Sequence, residues 1–243
     1  MMRRNNFPFS AVLGLNHAKT AILVVLVNPR AGGLLISGPQ GIGKSTLMRS
    51  TQELIERPWR DIPVSVTEDR LFGTIDTEKA IYSGQKKLYP GIINEADQGV
   101  LYLDDANLLR EDLLDSILNI AEVGAYQLER DGLSLRCDTS FTVIAAINPE
   151  SGMLSGACLD QFGLFVNVDN IHDENTRVEI LKRTISFEKD CASFCKLWKL
   201  ENEKIKKAIH SAMSLLPKVV VSSAMIQLAS VYALKAHVSG HRA

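Results

Sequence analysis

The chain has 243 residues, 46% hydrophobic and 23% charged, an ordinary balance for a globular protein and enough length for one large α/β domain plus a small second one. Its formal net charge of −1 excludes a global electrostatic bias towards nucleic acid or an anionic membrane. The opening "MMRRNNFPFS" lacks the apolar core of a secretory signal, and "AILVVLV" is far too short to span a bilayer, so a cytoplasmic protein with no membrane association is expected.

In chain order, residues 7–27 open with "FPFSAVLG" and continue as a helix whose Ala18, Ala21, Ile22 and Val25 share one face. "NPRAGG" is a loop, and "LLIS" a short buried strand running into Gly38. A helix carries Thr46 to about Glu56 before Pro58 ends it. "PVSVT" at 63–67 reads as a second strand, and a polar, mixed stretch then runs to Gly99. "GVLYLDD" at 99–105 is a strong strand ending in two acids. The helix after it places Leu109, Leu113, Ile117 and Ile120 on one side and stops at Gly124.

"AYQLERDGLSLR" is a hairpin with Asp131-Gly132 as its tight turn. "FTVIAAIN" at 141–148 and "LFVNVD" at 164–169 are further strands. From about 172 the pattern is helical: Ile205, Ala208, Ile209, Ala212, Met213 and Leu216 keep helical spacing, as do Met225, Leu228, Ala229, Tyr232, Ala233 and Ala236 after a Ser222/Ser223 cap. Strands alternating with helices imply a three-layer αβα domain with a mostly parallel sheet over 1–170, followed by a helical domain over 171–243. Cys137, Cys158, Cys191 and Cys195 and the five histidines show no metal-ligand spacing, so reduced thiols are expected; Cys191 and Cys195, four apart, can share a helix face.

The segment "GPQGIGKST" meets the pattern G-x-x-x-x-G-K-[ST] in full through Gly38, Gly43, Lys44 and Ser45. Pro39, Gln40, Gly41, Ile42 and Thr46 complete a loop whose backbone N–H groups turn onto phosphate oxygens, with the dipole of the next helix behind them. Lys44 is positioned to reach the β- and γ-phosphates, and the Ser45 hydroxyl to hold Mg²⁺. Asp104, at the end of the acid strand, is the second Mg²⁺ residue, acting through water. Asp105 is where the attacking water is oriented; its carboxylate is one methylene shorter than the usual glutamate, and about 1 Å of misplacement lowers a rate heavily. Asn148 reaches the γ-phosphate or the water if its strand lies beside both the loop strand and the acid strand; otherwise it is a turn residue before Pro149. Arg242 either contacts the γ-phosphate from the second domain or belongs to a tail.

With these parts in order, the chain resembles the AAA+ P-loop ATPases. In detail, "FPFSAVLG", "TEDRLFGTID", "YPGIINEADQGVLYLDDANLL", "LERDGLSLR" and "INPESGML…LDQFG" look like the ATPase subunit of magnesium chelatase and its cobalt-chelatase relatives. The resemblance implies ATP and Mg²⁺ as ligands, a homo-oligomeric ring, often a hexamer, with ATP between neighbours, and a C-terminal helical lid. It also implies a partner subunit with an integrin-like metal-dependent domain, and a tetrapyrrole-binding subunit that inserts Mg²⁺ into protoporphyrin IX. Phe9 and Val12 would then line the adenine pocket.

Gln161 stands in "LDQFG" where the family has an arginine that reaches the neighbour's ATP, and Asp105 replaces the glutamate. "GLN" stands near residue 14 where Gly-Gln-Glu is common, and the sequence stops one residue past Arg242, where the family's last lid helix would begin. These departures support nucleotide binding more than vigorous hydrolysis; Arg177 is one candidate to replace the missing arginine. Two alternatives stand beside the chelatase motor. One is a DNA-remodelling ATPase, which Lys86, Lys87, Arg130 and Arg136 favour and Glu129 and Asp131 oppose, so nucleic acid is not the expected partner. The other is a weakly hydrolysing, nucleotide-gated scaffold.

Overall fold

Apolar segments too short to fold alone pair into one sheet in the computed structural model, which describes residues 6–75, 88–130 and 133–235. The first half runs α1 (Asn16–Val27), β1 (Leu34–Ser37), α2 (Lys44–Thr51), β2 (Trp59–Ile62), α3 (Glu68–Phe72), β3 (Gly73–Ile75), β4 (Leu88–Pro90), α4 (Ile92–Glu95) and β5 (Val100–Leu103). The second runs α5 (Glu111–Val123), β6 (Ala125–Arg130), β7 (Leu133–Asp138), β8 (Thr142–Ile147), α6 (Gly156–Asp160), β9 (Leu164–Asn167), α7 (Glu174–Lys189), α8 (Cys191–Leu215) and α9 (Ser223–Lys235).

The main sheet is parallel throughout, in the order β2-β5-β8-β1-β9. Its inner strands are buried on both faces, which is why they read as continuous apolar runs. The side chains still alternate. Leu101, Leu103, Val143, Ala145 and Leu35 pack with Leu113 and Ile117 of α5 on one face. Val100, Tyr102, Ile144, Ala146 and Ile36 pack with Ile22 and Val25 of α1, Leu47 of α2 and Ile209 of α8 on the other. These are the three expected layers.

The strand expected at 63–67 is instead β2, four residues earlier. Pro63 has no N–H to give a ladder, and the chain turns there, with the Val66 N–H bonded to the Pro63 carbonyl at 3.0 Å. The helix expected to reach about Glu56 ends at Thr51 and tightens into a 3₁₀ turn, Gln52–Leu54. Residues 7–27 divide into a 3₁₀ turn, Phe9–Ala11, and α1. Gly124 closes α5 in the left-handed conformation, as its sequence position implied. β6 and β7 pair antiparallel from Ala125↔Asp138 to Arg130↔Leu133, confirming the hairpin; the Asp131-Gly132 turn lies outside the described residues.

Helix α7 falls within the region expected to be helical from about residue 172, where no separate bounds were read for it. It is fixed by an aromatic cluster in which Phe187 meets Phe7 and Phe194 at ring distances of 5.1 and 5.7 Å. α8 buries Ile209 against the sheet layer, with Ile205 and Met213 beside it. α9 is capped by the Ser222 hydroxyl, as expected, but Met225, Leu228 and Tyr232 on it are exposed. Among the described residues no single helix is long and apolar enough to cross a membrane.

Candidate nucleotide site

β1, β5 and β8 end at the same edge of the sheet, through the register Ser37↔Ile147 and Leu103↔Ala145. The loop leaving β1 starts at Gly38, whose N–H bonds to the Ile147 carbonyl at 3.2 Å. A Cβ at Gly38 would sit 2.4 Å from Val168 Cγ2 and 2.6 Å from the Val168 carbonyl oxygen, so only glycine fits this close approach. Gly43, with φ +97°, turns the chain into α2. The Leu47 N–H is bonded to the Gly43 carbonyl, so the first amides of α2 are left without helical partners, beside the positive end of the helix dipole.

Lys44 is 7% exposed, and its ammonium donates to the carbonyls of Gly38 at 2.6 Å and Pro39 at 2.9 Å. An ammonium has three donors, which leaves one for an anion in the loop. Burial pushes its pKa below the ordinary lysine value, and Asp105 and then Asp104 pull the other way. The Ser45 hydroxyl donates to Asp104 Oδ1 at 3.2 Å, and the Tyr102 hydroxyl donates to the same oxygen at 2.8 Å. Asp105 is exposed and sits at φ 49°, the left-handed region that aspartate tolerates better than most residues.

β8 lies between β5 and β1, so Asn148 meets the condition set by its sequence position. It is 8% exposed; its Oδ1 accepts the Glu150 N–H at 3.2 Å and its amide donates to Ser151 Oγ at 3.3 Å. It therefore both caps the turn before Ser151 and faces the loop. Asn107, which sequence reasoning missed, donates to the carbonyls of Asn148 and Gly152, both at 3.1 Å, and ties the acid-strand end to the Asn148 turn. Its only sequence signal is its place two residues after the acids. Tyr102 was likewise read only as a strand residue.

Lys44, Ser45, Asp104, Asp105 and Asn148 line one cavity of about 360 Å³, with Gln40 and Thr46 at its loop side. A second cavity of about 860 Å³ shares Gly41, Gly43 and Thr46, takes Ile42, and is walled by Ala11, Val12 and Leu13 on one side and Arg177 and Ile180 of α7 on the other. Val12 lines this cavity. Phe9 does not: it is 2% exposed and belongs to the core layer, with the Lys19 ammonium 5.3 Å from its ring centre, and Phe7 and Leu13 stand on the apolar wall instead. Arg242 lies outside the described residues.

Gln161 sits at the other edge of the sheet, in a cavity of about 820 Å³ with Gly33 and Thr142 at the strand starts. Arg177 lines the larger cavity of its own chain, on the α7 wall.

A phosphate loop, an acid strand and a polar strand end on adjacent parallel strands define an AAA+ P-loop ATPase module, and a family model for the AAA domain of the dynein-related subfamily matches residues 33–161. The chain is 33% identical to the magnesium-chelatase 38 kDa subunit of Chlorobaculum tepidum over 97% of its own length and 71% of the relative's. It is 32% identical to the magnesium-chelatase subunit ChlI homolog of Methanocaldococcus jannaschii, across 100% of this chain and 77% of that protein. A model of the complex between the magnesium-chelatase subunits BchI and BchD, based on a cryo-EM reconstruction, matches with a TM-score of 0.65 and 35% identity over 88% of this chain and 77% of that one. The chain belongs to the magnesium-chelatase ChlI/BchI family of AAA+ ATPase subunits.

Proposed function

We propose that this chain is the cytoplasmic ATP-binding motor subunit of a chelatase that inserts Mg²⁺ into protoporphyrin IX, with residues 171–243 as its lid. The observation that carries this reading is the convergence of Lys44, Ser45, Asp104 and Asn148 on one cavity at the ends of adjacent strands. The subunit assembles as a homo-oligomeric ring, a hexamer in this reading, and works on a partner subunit carrying an integrin-like metal-dependent domain and on a tetrapyrrole-binding subunit. A relative's structure with its BchD partner supports such an assembly.

Lys44 holds the β- and γ-phosphates, Asn148 reaches the γ-phosphate or the attacking water, and Asp105 orients that water. The base enters the larger cavity between Val12 and α7. The donor set fits Mg²⁺: a hydroxyl and a carboxylate are hard oxygen ligands, and Ser45 and Asp104 already meet. Ser45 and Asp104 would hold the ion, which would supply charge neutralisation for the phosphates. Gln161, at the far sheet edge, is where a neighbour's site would be completed, and without an arginine there hydrolysis is slow.

The test is reconstitution. The chain is mixed with a metal-domain partner and a porphyrin-binding subunit, and formation of Mg-protoporphyrin is followed by fluorescence with ATP. Chelation that disappears with Lys44→Ala is expected. Absence of chelation, together with ATPase stimulated by DNA and not by the metal-domain partner, would overturn it.

A further inference from the structure

Tyr102 is held in the core of the site's strand. Residues two apart on a strand point to one face, so Tyr102 and Asp104 of the β5 end stand side by side. The tyrosine is 2% exposed, its ring 6.0 Å from that of Trp59, and its hydroxyl donates to Asp104 Oδ1 at 2.8 Å. The same oxygen takes the Ser45 hydroxyl at 3.2 Å, while Oδ2 accepts no hydrogen bond from the described residues. One oxygen of the carboxylate is thus pinned from two elements, and Asp104 lines the cavity with Lys44 and Ser45.

We propose that Tyr102 is a positioning residue for the Mg²⁺ shell: its hydroxyl fixes the rotation of the Asp104 carboxylate, so that Ser45 and Asp104 present oxygens to the ion in one arrangement. This rests on the reading of Ser45 and Asp104 as the Mg²⁺ residues. A donor that orients a metal-shell carboxylate contributes about ten- to a hundredfold in metal affinity or activity when removed.

Tyr102→Phe keeps the ring and removes only the donor. A fluorescent ATP analogue is titrated into wild type and variant over a series of Mg²⁺ concentrations and in EDTA, and Mn²⁺ EPR with bound nucleotide reports the ion directly. The expected result is an increase of about tenfold in the Mg²⁺ midpoint, a matching loss of bound Mn²⁺ signal, and unchanged nucleotide affinity in EDTA. Trp59→Phe, which alters the ring's neighbour and keeps the phenol, leaves the midpoint in place. An unchanged midpoint in Tyr102→Phe, an equal loss of nucleotide in EDTA, or an equal shift in Trp59→Phe would each overturn the proposal. Should wild-type binding itself not depend on Mg²⁺, the assignment of Ser45 and Asp104 fails, and Tyr102 with it; a Mg²⁺-dependent wild type with an unmoved Tyr102→Phe removes Tyr102 alone.

Discussion

The Ser45 hydroxyl meets Asp104 Oδ1 at 3.2 Å across 59 residues of sequence, joining the first turn of α2 to the end of β5. The contact makes the loop and the acid strand one unit. Asp104→Asn keeps an acceptor for Ser45 but removes the charge. Nucleotide affinity measured with and without Mg²⁺ should then show a much smaller Mg²⁺ effect, with part of the binding retained. A variant whose Mg²⁺ dependence equals wild type would contradict this role.

Arg183 of α7 is a junction. Its guanidinium donates to the Ala11 carbonyl at 3.0 Å and to Glu179 at 2.8 Å, and stacks 4.5 Å from the Trp198 ring centre. It ties the 9–11 turn to two helices, and Ala11 walls the larger cavity. Arg183→Ala should destabilise the fold by about 2 kcal/mol, as expected for a hydrogen bond to a charged group plus lost stacking, read in urea unfolding. Arg183→Lys, which lacks the planar fork, should recover less than half of that.

Lys19 gives a pH signature. Its ammonium bonds to the Val12 carbonyl, and burial, with Arg183 nearby, lowers its pKa from 10.5 to about 8. The unfolded chain therefore binds more protons than the native one between about pH 8 and 10.5. Stability rises with pH where that is so, so wild type should gain on Lys19→Met across this window and lose the gain below it. Parallel unfolding curves at all pH values would refute the shift.

Gln161 and Asp105 bear on turnover. A neighbour's arginine at a phosphoryl-transfer site is worth about 10³–10⁵ in rate, and glutamine brings no charge. Gln161→Arg should raise steady-state ATPase at least tenfold, and only at concentrations where the chain oligomerises. Adding Asp105→Glu should raise it further, yet lower stability by roughly 1 kcal/mol, because glutamate is less at ease at φ 49°. No gain from either change, with nucleotide bound and the ring formed, would mean a site that senses nucleotide without hydrolysing it.

Much of this was legible because the residues concerned act through local pattern. Gly38, Gly43 and Lys44 are fixed by loop geometry, and the apolar runs of β1, β5 and β8 by burial on both faces. Contacts set by tertiary placement were not. Nothing in "VLYLDDAN" marks Tyr102 or Asn107 as polar partners of Asp104 and the Asn148 turn, because those bonds depend on which strands are neighbours. Phe9 was misplaced because an apolar residue beside a pocket motif reads alike whether it lines the pocket or lies under it. β2 was displaced because Pro63 looks like a strand opener in sequence and acts as a turn in the fold.

The central claim is that the loop from Gly38 to Thr46 holds the phosphates of ATP through Lys44. The most direct measurement is titration of a fluorescent ATP analogue into wild type and Lys44→Ala, with folding of both checked by circular dichroism. Loss of most of the affinity in the variant, at unchanged fold, is the expected result. Equal affinity in the two proteins would contradict the account.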